Sequence, residues 1–120
     1  MPCRITSRTV SNRTVIELCG KLHVPEETAL RDEITRLLVQ GHRDFVIDLT
    51  DLLYIDSSGV GQLICVWISI QKAGGKMVLF RPNPHIIGIL KAVKLSSVFS
   101  ISYDEPGLNI RGEHNIASSA

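Results

Sequence analysis

The sequence predicts a small mixed α/β fold of order β-β-α-β-α-β-α-β, and three observations carry that prediction. Two runs of alternating character open the chain, at residues Cys3–Thr9 and Arg13–Cys19. Apolar stripes at helical spacing follow in three places. Between and after them lie the short β-rich runs Asp44–Leu49, Lys76–Phe80 and Val98–Tyr103. Helices and strands alternating after a hairpin imply parallel central strands joined by right-handed crossovers.

Taken in order, Ser11-Asn12 suits a tight turn between the first two strands, and Gly20 is expected to break the second. A helix is expected from Pro25, which favours the first helical position. Glu26 and Glu27 suit its positive end, and Leu30, Ile34, Leu37 and Leu38 form its buried stripe. Gly41 stops it, and Arg31, Asp32, Glu33 and Arg36 are read as a solvated face. The strand Asp44–Leu49 has the composition of a central strand covered on both faces. The next helix runs from Ser57 to Gly74-Gly75, with Val60, Leu63, Ile64 and Trp67 toward the sheet and Cys65, Val66, Ile68 and Ile70 partly elsewhere. Lys76–Phe80 is a second central strand closed by Arg81-Pro82. Pro84 opens a third helix with Ile86, Ile87, Leu90 and Val93 as its stripe. Residues 1–110 are expected to form a single domain and residues 111–120 a flexible tail.

The composition excludes several classes. At 120 residues, 44% hydrophobic and 21% charged, the chain reads as one globular domain. A net charge of +1 with no run of like charges predicts neither nucleic-acid nor membrane binding. Cys3, Cys19 and Cys65 are odd in number and lack a Cys-x-x-Cys pair. They are expected as free thiols in a reducing compartment, Cys19 and Cys65 within the core. The start of the chain lacks the features of a secretory signal, and the longest apolar run, Leu63–Ile70, is too short to cross a bilayer, which predicts a cytoplasmic protein.

The chemistry narrows to one stretch. His23, His42, His85 and His114 lie far apart and offer no metal set. Gly59-Val60-Gly61 lacks the third glycine of a dinucleotide fingerprint, and a Walker loop is absent, so no cofactor is expected. A Gly-x-Ser-x-Gly elbow is half present: Ser57 is flanked by Ile55 and Gly59, and Ser58 by Asp56 and Val60, with no histidine assigned as base. What remains is a serine pair at the start of a helix, where free backbone N–H groups favour anions. Either Ser57 or Asp56 can serve as its N-cap. Gly59 and Gly61 in the first turn each cost about 1 kcal/mol relative to alanine, implying close approach to the backbone. The segment Ser57–Gln71 carries no charge, and a helix apolar around most of its circumference points to a partner surface.

Together, Gly20-Lys21-Leu22, the strand ending Ile47-Asp48-Leu49, Leu52 through Ile55, Asp56-Ser57-Ser58-Gly59-Val60-Gly61 and Gly74-Gly75-Lys76 resemble a STAS domain of the anti-sigma factor antagonist type. The resemblance runs from about Ile5 to Tyr103. It implies a STAS-like mixed sheet with helices, no enzymatic activity, and a phosphorylation-controlled protein-binding switch. In such a switch the unmodified chain sequesters an anti-sigma factor that is also a serine kinase, releasing a sigma factor to regulate transcription. The kinase then phosphorylates one serine, which maps onto Ser57, and a serine phosphatase restores it. On this resemblance Asp56 orients the loop and helps the kinase recognise the serine, while Ser58 caps or positions. The expected switch loop is Asp56, Ser58, Gly59 and Gly61, and the expected partner surface is Leu22, His23, Val60, Gln62, Cys65, Val66 and Ser69. The chain departs from the family at His23, where an acidic residue is usual, and at Pro106-Gly107, which interrupt the region of a final amphipathic helix. Two rival readings stand beside this one. The first is a STAS adaptor or scaffold of a stress-signalling or lipid-transport assembly, without phosphorylation control; the second is a small enzyme using Ser57 or Ser58. A homodimer is compatible with the sequence.

Overall fold

A computed structural model describes residues 3–22 and 28–103. The elements are β1 (Arg4–Val10), β2 (Arg13–Leu22), α1 (Ala29–Val39), β3 (Asp44–Ile55), α2 (Ser57–Lys72), β4 (Lys76–Phe80), α3 (Pro84–Ala92) and β5 (Ser100–Ser102). This is the expected order. The five strands lie side by side in sequence order, β1 antiparallel to β2 and every later pair parallel.

The hairpin closes at Ser11-Asn12, with φ of 52° and 68°. Both central residues thus occupy the left-handed region, whose twist matches that of the flanking strands. Val10 pairs directly with Arg13 across this turn.

Sequential parallel strands with right-handed crossovers place every crossover helix on one face of the sheet, and the packing shows this. Leu30, Ile34 and Leu37 of α1, Leu63, Val66 and Ile70 of α2, and Ile86 and Leu90 of α3 join one core with Ile16, Leu18, Phe45, Ile47 and Leu79. Phe45, Val46, Ile47 and Leu49 are all fully buried, so the strand Asp44–Leu49 is covered on both faces as expected, with the helices on one of them. Val15, Val46 and Phe80, on the opposite face, form a separate cluster.

Several boundaries also differ. β2 does not break at Gly20 but continues to Leu22, because Gly20 adopts a φ of 107° that lets the strand pass a register shift. β3 does not stop at Leu49. Asp48 bends the chain locally, its Oδ1 accepting from the Thr50 N–H at 3.0 Å and the Thr50 hydroxyl at 2.5 Å. The strand then resumes to Ile55, paired with β2 alone. α1 begins at Ala29 after Thr28, whose Oγ1 donates to Asp32 Oδ2 at 2.9 Å. Pro25, Glu26 and Glu27 lie outside the described residues, as does the tail 111–120. β5 is shorter than expected because Val98 sits in a turn and Phe99 turns into the core. On α3, Val93 is exposed and Ile87 half-buried, so Ile86 and Leu90 carry the packing.

The charged face of α1 is not wholly solvated in isolation. Glu33 accepts from the Ser7 hydroxyl of β1 at 2.6 Å and from Arg36 at 2.5 Å. Arg36 first, then Ser7, hold its carboxyl below the ordinary value.

Candidate functional site

The site lies where β3 ends and α2 begins. Asp56 is the N-cap, in extended conformation, and its Oδ1 accepts from the N–H groups of Ser58 at 3.0 Å and Gly59 at 3.1 Å. One carboxylate oxygen thus satisfies two of the helix's free donors and places negative charge at the positive end of the dipole. The capping role belongs to Asp56, and Ser58 contributes its backbone rather than a side-chain cap. Ser57 occupies the first helical position with its side chain exposed. Among the described residues, none takes a hydrogen bond from its hydroxyl. Because Asp56 does the capping, Ser57 is left available for chemistry with something outside the chain.

Asp56→Ala removes both acceptor contacts, and the expected cost is about 1–2 kcal/mol of stability. A denaturant midpoint lowered with an unchanged slope in urea is the expected readout.

Gly59 and Gly61 lie inside α2, not in a loop, and differ sharply. A Cβ at Gly59 would stand 2.0 Å from the Leu22 carbonyl oxygen and 2.6 Å from Ile55 Cγ1. The close approach inferred from the sequence is therefore internal at Gly59: α2 starts hard against the end of β2. At Gly61 a Cβ would meet nothing within 4 Å.

The buried stripe of α2 is Gly59, Val60, Gln62, Leu63, Val66 and Ile70. It is wider than one sheet contact would require because α1 packs along one flank, while Trp67 meets Phe99 edge-to-face at 6.2 Å on another. This corrects two expectations. Val66 and Ile70 face inward, whereas Ile64 and Trp67 are only partly covered. Among the residues expected at a partner surface, Leu22, Val60, Gln62 and Val66 are buried in the domain, so their side chains do not form it as it stands. Cys65 and Ser69 are exposed, and His23 lies outside the described residues. The structure instead aligns Ser57, Gly61, Ile64, Cys65 and Ile68 along the outer side of α2, at positions i, i+4, i+7, i+8 and i+11. Cys65 and Ser69, with Val66 and Ile68, also border a shallow groove whose other wall is Arg31, Asp32, Ile34 and Thr35 of α1.

The thiols depart from expectation too. Cys3 is buried, but Cys19 is half-exposed, with the Arg4 guanidinium 3.6 Å from its sulfur, and Cys65 is on the surface.

Beside the serine, the structure brings together residues that sequence reasoning passed over. His85, at the start of α3, stacks on Tyr54 with ring centroids 5.3 Å apart and an interplanar angle of 18°. Its Nε2–H donates to the Ile55 carbonyl oxygen at 3.3 Å. Asn83 caps α3 by accepting from the Ile86 N–H at 2.9 Å and donates to the Leu52 carbonyl oxygen at 3.1 Å, tying α3 to the last turn of β3. The Asn83-Pro84 pair is a helix-start signal in the sequence; its contact with Leu52 is not. Among the described residues, no cluster of three metal-ligating side chains occurs, and no helix is long and apolar enough to cross a membrane.

Fold and site together define a small, one-sided α/β domain whose outward chemistry is a serine at the head of an uncharged helix. The chain belongs to the STAS domain family, whose model matches residues 4–107. Its relatives include the anti-sigma-B factor antagonist of Bacillus subtilis, 27% identical over 96 residues that span 80% of this chain and 87% of that protein. The fold matches the anti-sigma factor antagonist SpoIIAA in its unphosphorylated form, with a TM-score of 0.65 at 22% identity over 85% of this chain and 89% of that one. It also matches the Bacillus cell fate determinant SpoIIAA in the phosphorylated form, with a TM-score of 0.67 at 21% identity over 98% of this chain and all of that one.

Proposed function

We propose that this protein is an anti-sigma factor antagonist, a non-enzymatic switch that binds an anti-sigma factor with serine-kinase activity and releases it when Ser57 is phosphorylated. The observation that carries this reading is the division of labour at the head of α2. Asp56 supplies the cap, and the exposed Ser57 hydroxyl stands at a helix N-terminus where a phosphate is tolerated. The family and the names of the relatives support the partner class.

The partner seats on the outer side of α2, over Gly61, Ile64, Cys65 and Ile68, a strip with no charged side chain. Ser57 heads that strip. A phosphoserine there brings about −1.5 to −2 charges and three acceptor oxygens, and the complex must either desolvate them or set them against partner groups. The phosphorylated domain stays folded while the surface loses its partner; a serine phosphatase reverses the step.

The test is incubation with a cognate anti-sigma kinase and ATP, followed by mass spectrometry of the intact chain and its peptides. The expected result is a single added phosphate on Ser57, absent in Ser57→Ala. Binding without phosphate transfer would favour the adaptor reading, and phosphate on Ser58 alone would overturn the assignment of the serine.

A further inference from the structure

β3 outlasts the strand beside it. β4 pairs with it only from Asp44 to Asp48, so from Asp51 to Ile55 its ladder runs to β2 alone. An edge left open next to the head of α2 would hold unpaired carbonyls and template any incoming strand. The register at this edge is irregular. Gly20 pairs with Leu52 and Lys21 with Tyr54, which makes Leu53 an extra residue on β3. Residues three apart on a regular strand point to opposite faces, but the extra residue resets the alternation. Leu52 and Ile55 are accordingly both 0% exposed, and Leu53 is 68% exposed.

The carbonyls of these same two residues meet one helix. Asn83 Nδ2–H donates to the Leu52 carbonyl oxygen at 3.1 Å, and His85 Nε2–H donates to the Ile55 carbonyl oxygen at 3.3 Å. α3 needs neither donor for itself: its cap is made by Asn83 Oδ1, which accepts from the Ile86 N–H, and His85 is exposed on its first turn. Stacking on Tyr54, the residue after the extra one, orients the His85 ring. The Ile55 carbonyl belongs to the peptide group that enters Asp56, the cap of α2, and Ser57 is the next residue. On the far side of Ser57, Gly59 lies hard against the Leu22 carbonyl. The serine thus stands between two fixed points.

We infer that Asn83 and His85 are positioning residues, which anchor the bulged end of β3 to α3 and so fix the direction in which Asp56 and Ser57 leave the sheet. The inference deepens the phosphorylation reading and rests on it for the reaction that is served. Phosphoryl transfer depends on bringing the acceptor hydroxyl into line with the donor, and a small displacement of the acceptor costs rate more than binding. Neither residue belongs to the strip of α2 on which the partner seats, so affinity for the kinase should change little.

The experiment uses the full chain carrying Asn83→Asp and His85→Phe together. Aspartate keeps the acceptor that caps α3 and phenylalanine keeps a ring on Tyr54, while both donors to β3 are lost. Amide hydrogen exchange at Ser58, Gly59 and Val60, whose N–H groups all bond to Asp56, should quicken several-fold, with the paired residues Ile16 and Ile47 unchanged. With the cognate kinase, kcat for phosphate transfer to Ser57 should fall about tenfold or more at a similar KM. His85→Gln alone, which retains a donor, should behave as the unaltered chain. Exchange at the junction equal to that of the unaltered chain overturns the inference, and so does exchange that quickens equally throughout the sheet, which would make the contacts merely structural. An unchanged kcat overturns the positioning role. Exchange is measured on the protein alone, so an unaltered chain that takes no phosphate on Ser57 overturns the phosphorylation reading, while the exchange result still supports or overturns the anchoring of the junction.

Discussion

Ser57→Asp is expected to weaken binding of the anti-sigma partner more than a hundredfold while leaving the domain as stable as the parent, whereas Ser57→Ala should bind without regulation. The two halves of this expectation come from the same geometry. For folding, position 57 is the first residue of α2, where a carboxylate meets the positive end of the helix dipole and contributes about 0.3–1 kcal/mol. Asp56 already makes the capping bonds through one oxygen, so the new side chain displaces no native contact. Repulsion between neighbouring carboxylates works against the dipole gain, and the net change should lie within about 0.5 kcal/mol.

For binding, the same charge sits at the head of an uncharged strip and must be desolvated in the complex. A penalty of about 3 kcal/mol corresponds to more than a hundredfold in affinity. Titration calorimetry with the partner, paired with thermal unfolding of each variant, separates the two effects. Equal affinity of Ser57→Asp and Ser57→Ala would sink the switch, and a lowered Tm in Ser57→Asp would mean that binding is lost through damage to the fold.

Much of the domain was legible because its elements are strongly periodic. The hairpin, the three helices and the strand Lys76–Phe80 follow from alternation, helical stripes and glycine breaks, and the strand-to-helix junction at Asp56-Ser57 follows from the cap signal. What escaped depends on how elements meet. The resumption of β3 after Thr50 rests on pairing with Cys19 through Leu22 across two register shifts, and bulges leave little trace in a single sequence. Val66 faces the groove that α1 walls on its other side, a neighbour that helical periodicity alone does not specify. Leu22 lies two residues past the break expected at Gly20, and the continuation of β2 buries it. The alliance of Tyr54 and His85 is a contact between residues 31 positions apart in the chain, invisible to any local pattern.

The two glycines of α2 provide the other large effect, with opposite signs for the same substitution. Gly59→Ala is expected to destabilise the domain by about 2 kcal/mol or more. Its new methyl falls 2.0 Å from the Leu22 carbonyl oxygen and 2.9 Å from the Leu22 carbonyl carbon. These are backbone atoms of a paired strand, which cannot turn aside as a flexible side chain would, so α2 must lift from β2 or β2 must move. Overpacking of this kind typically costs about 1–3 kcal/mol and sometimes more, well above the gain of about 1 kcal/mol from replacing glycine by alanine in a helix. Gly61→Ala meets no atom within 4 Å and keeps that gain, so it should stabilise the domain by about 0.5–1 kcal/mol. Urea titrations of the two variants give the comparison directly. Gly61 lies on the outer side of α2, where an added methyl meets no atom of the domain. If the partner's backbone lies against Gly61, Gly61→Ala should raise stability and lower affinity tenfold or more, the cost of one misplaced methyl in a packed interface. Unchanged affinity would move the partner's footprint off the second turn of α2, while the cost at Gly59, being internal, would stand.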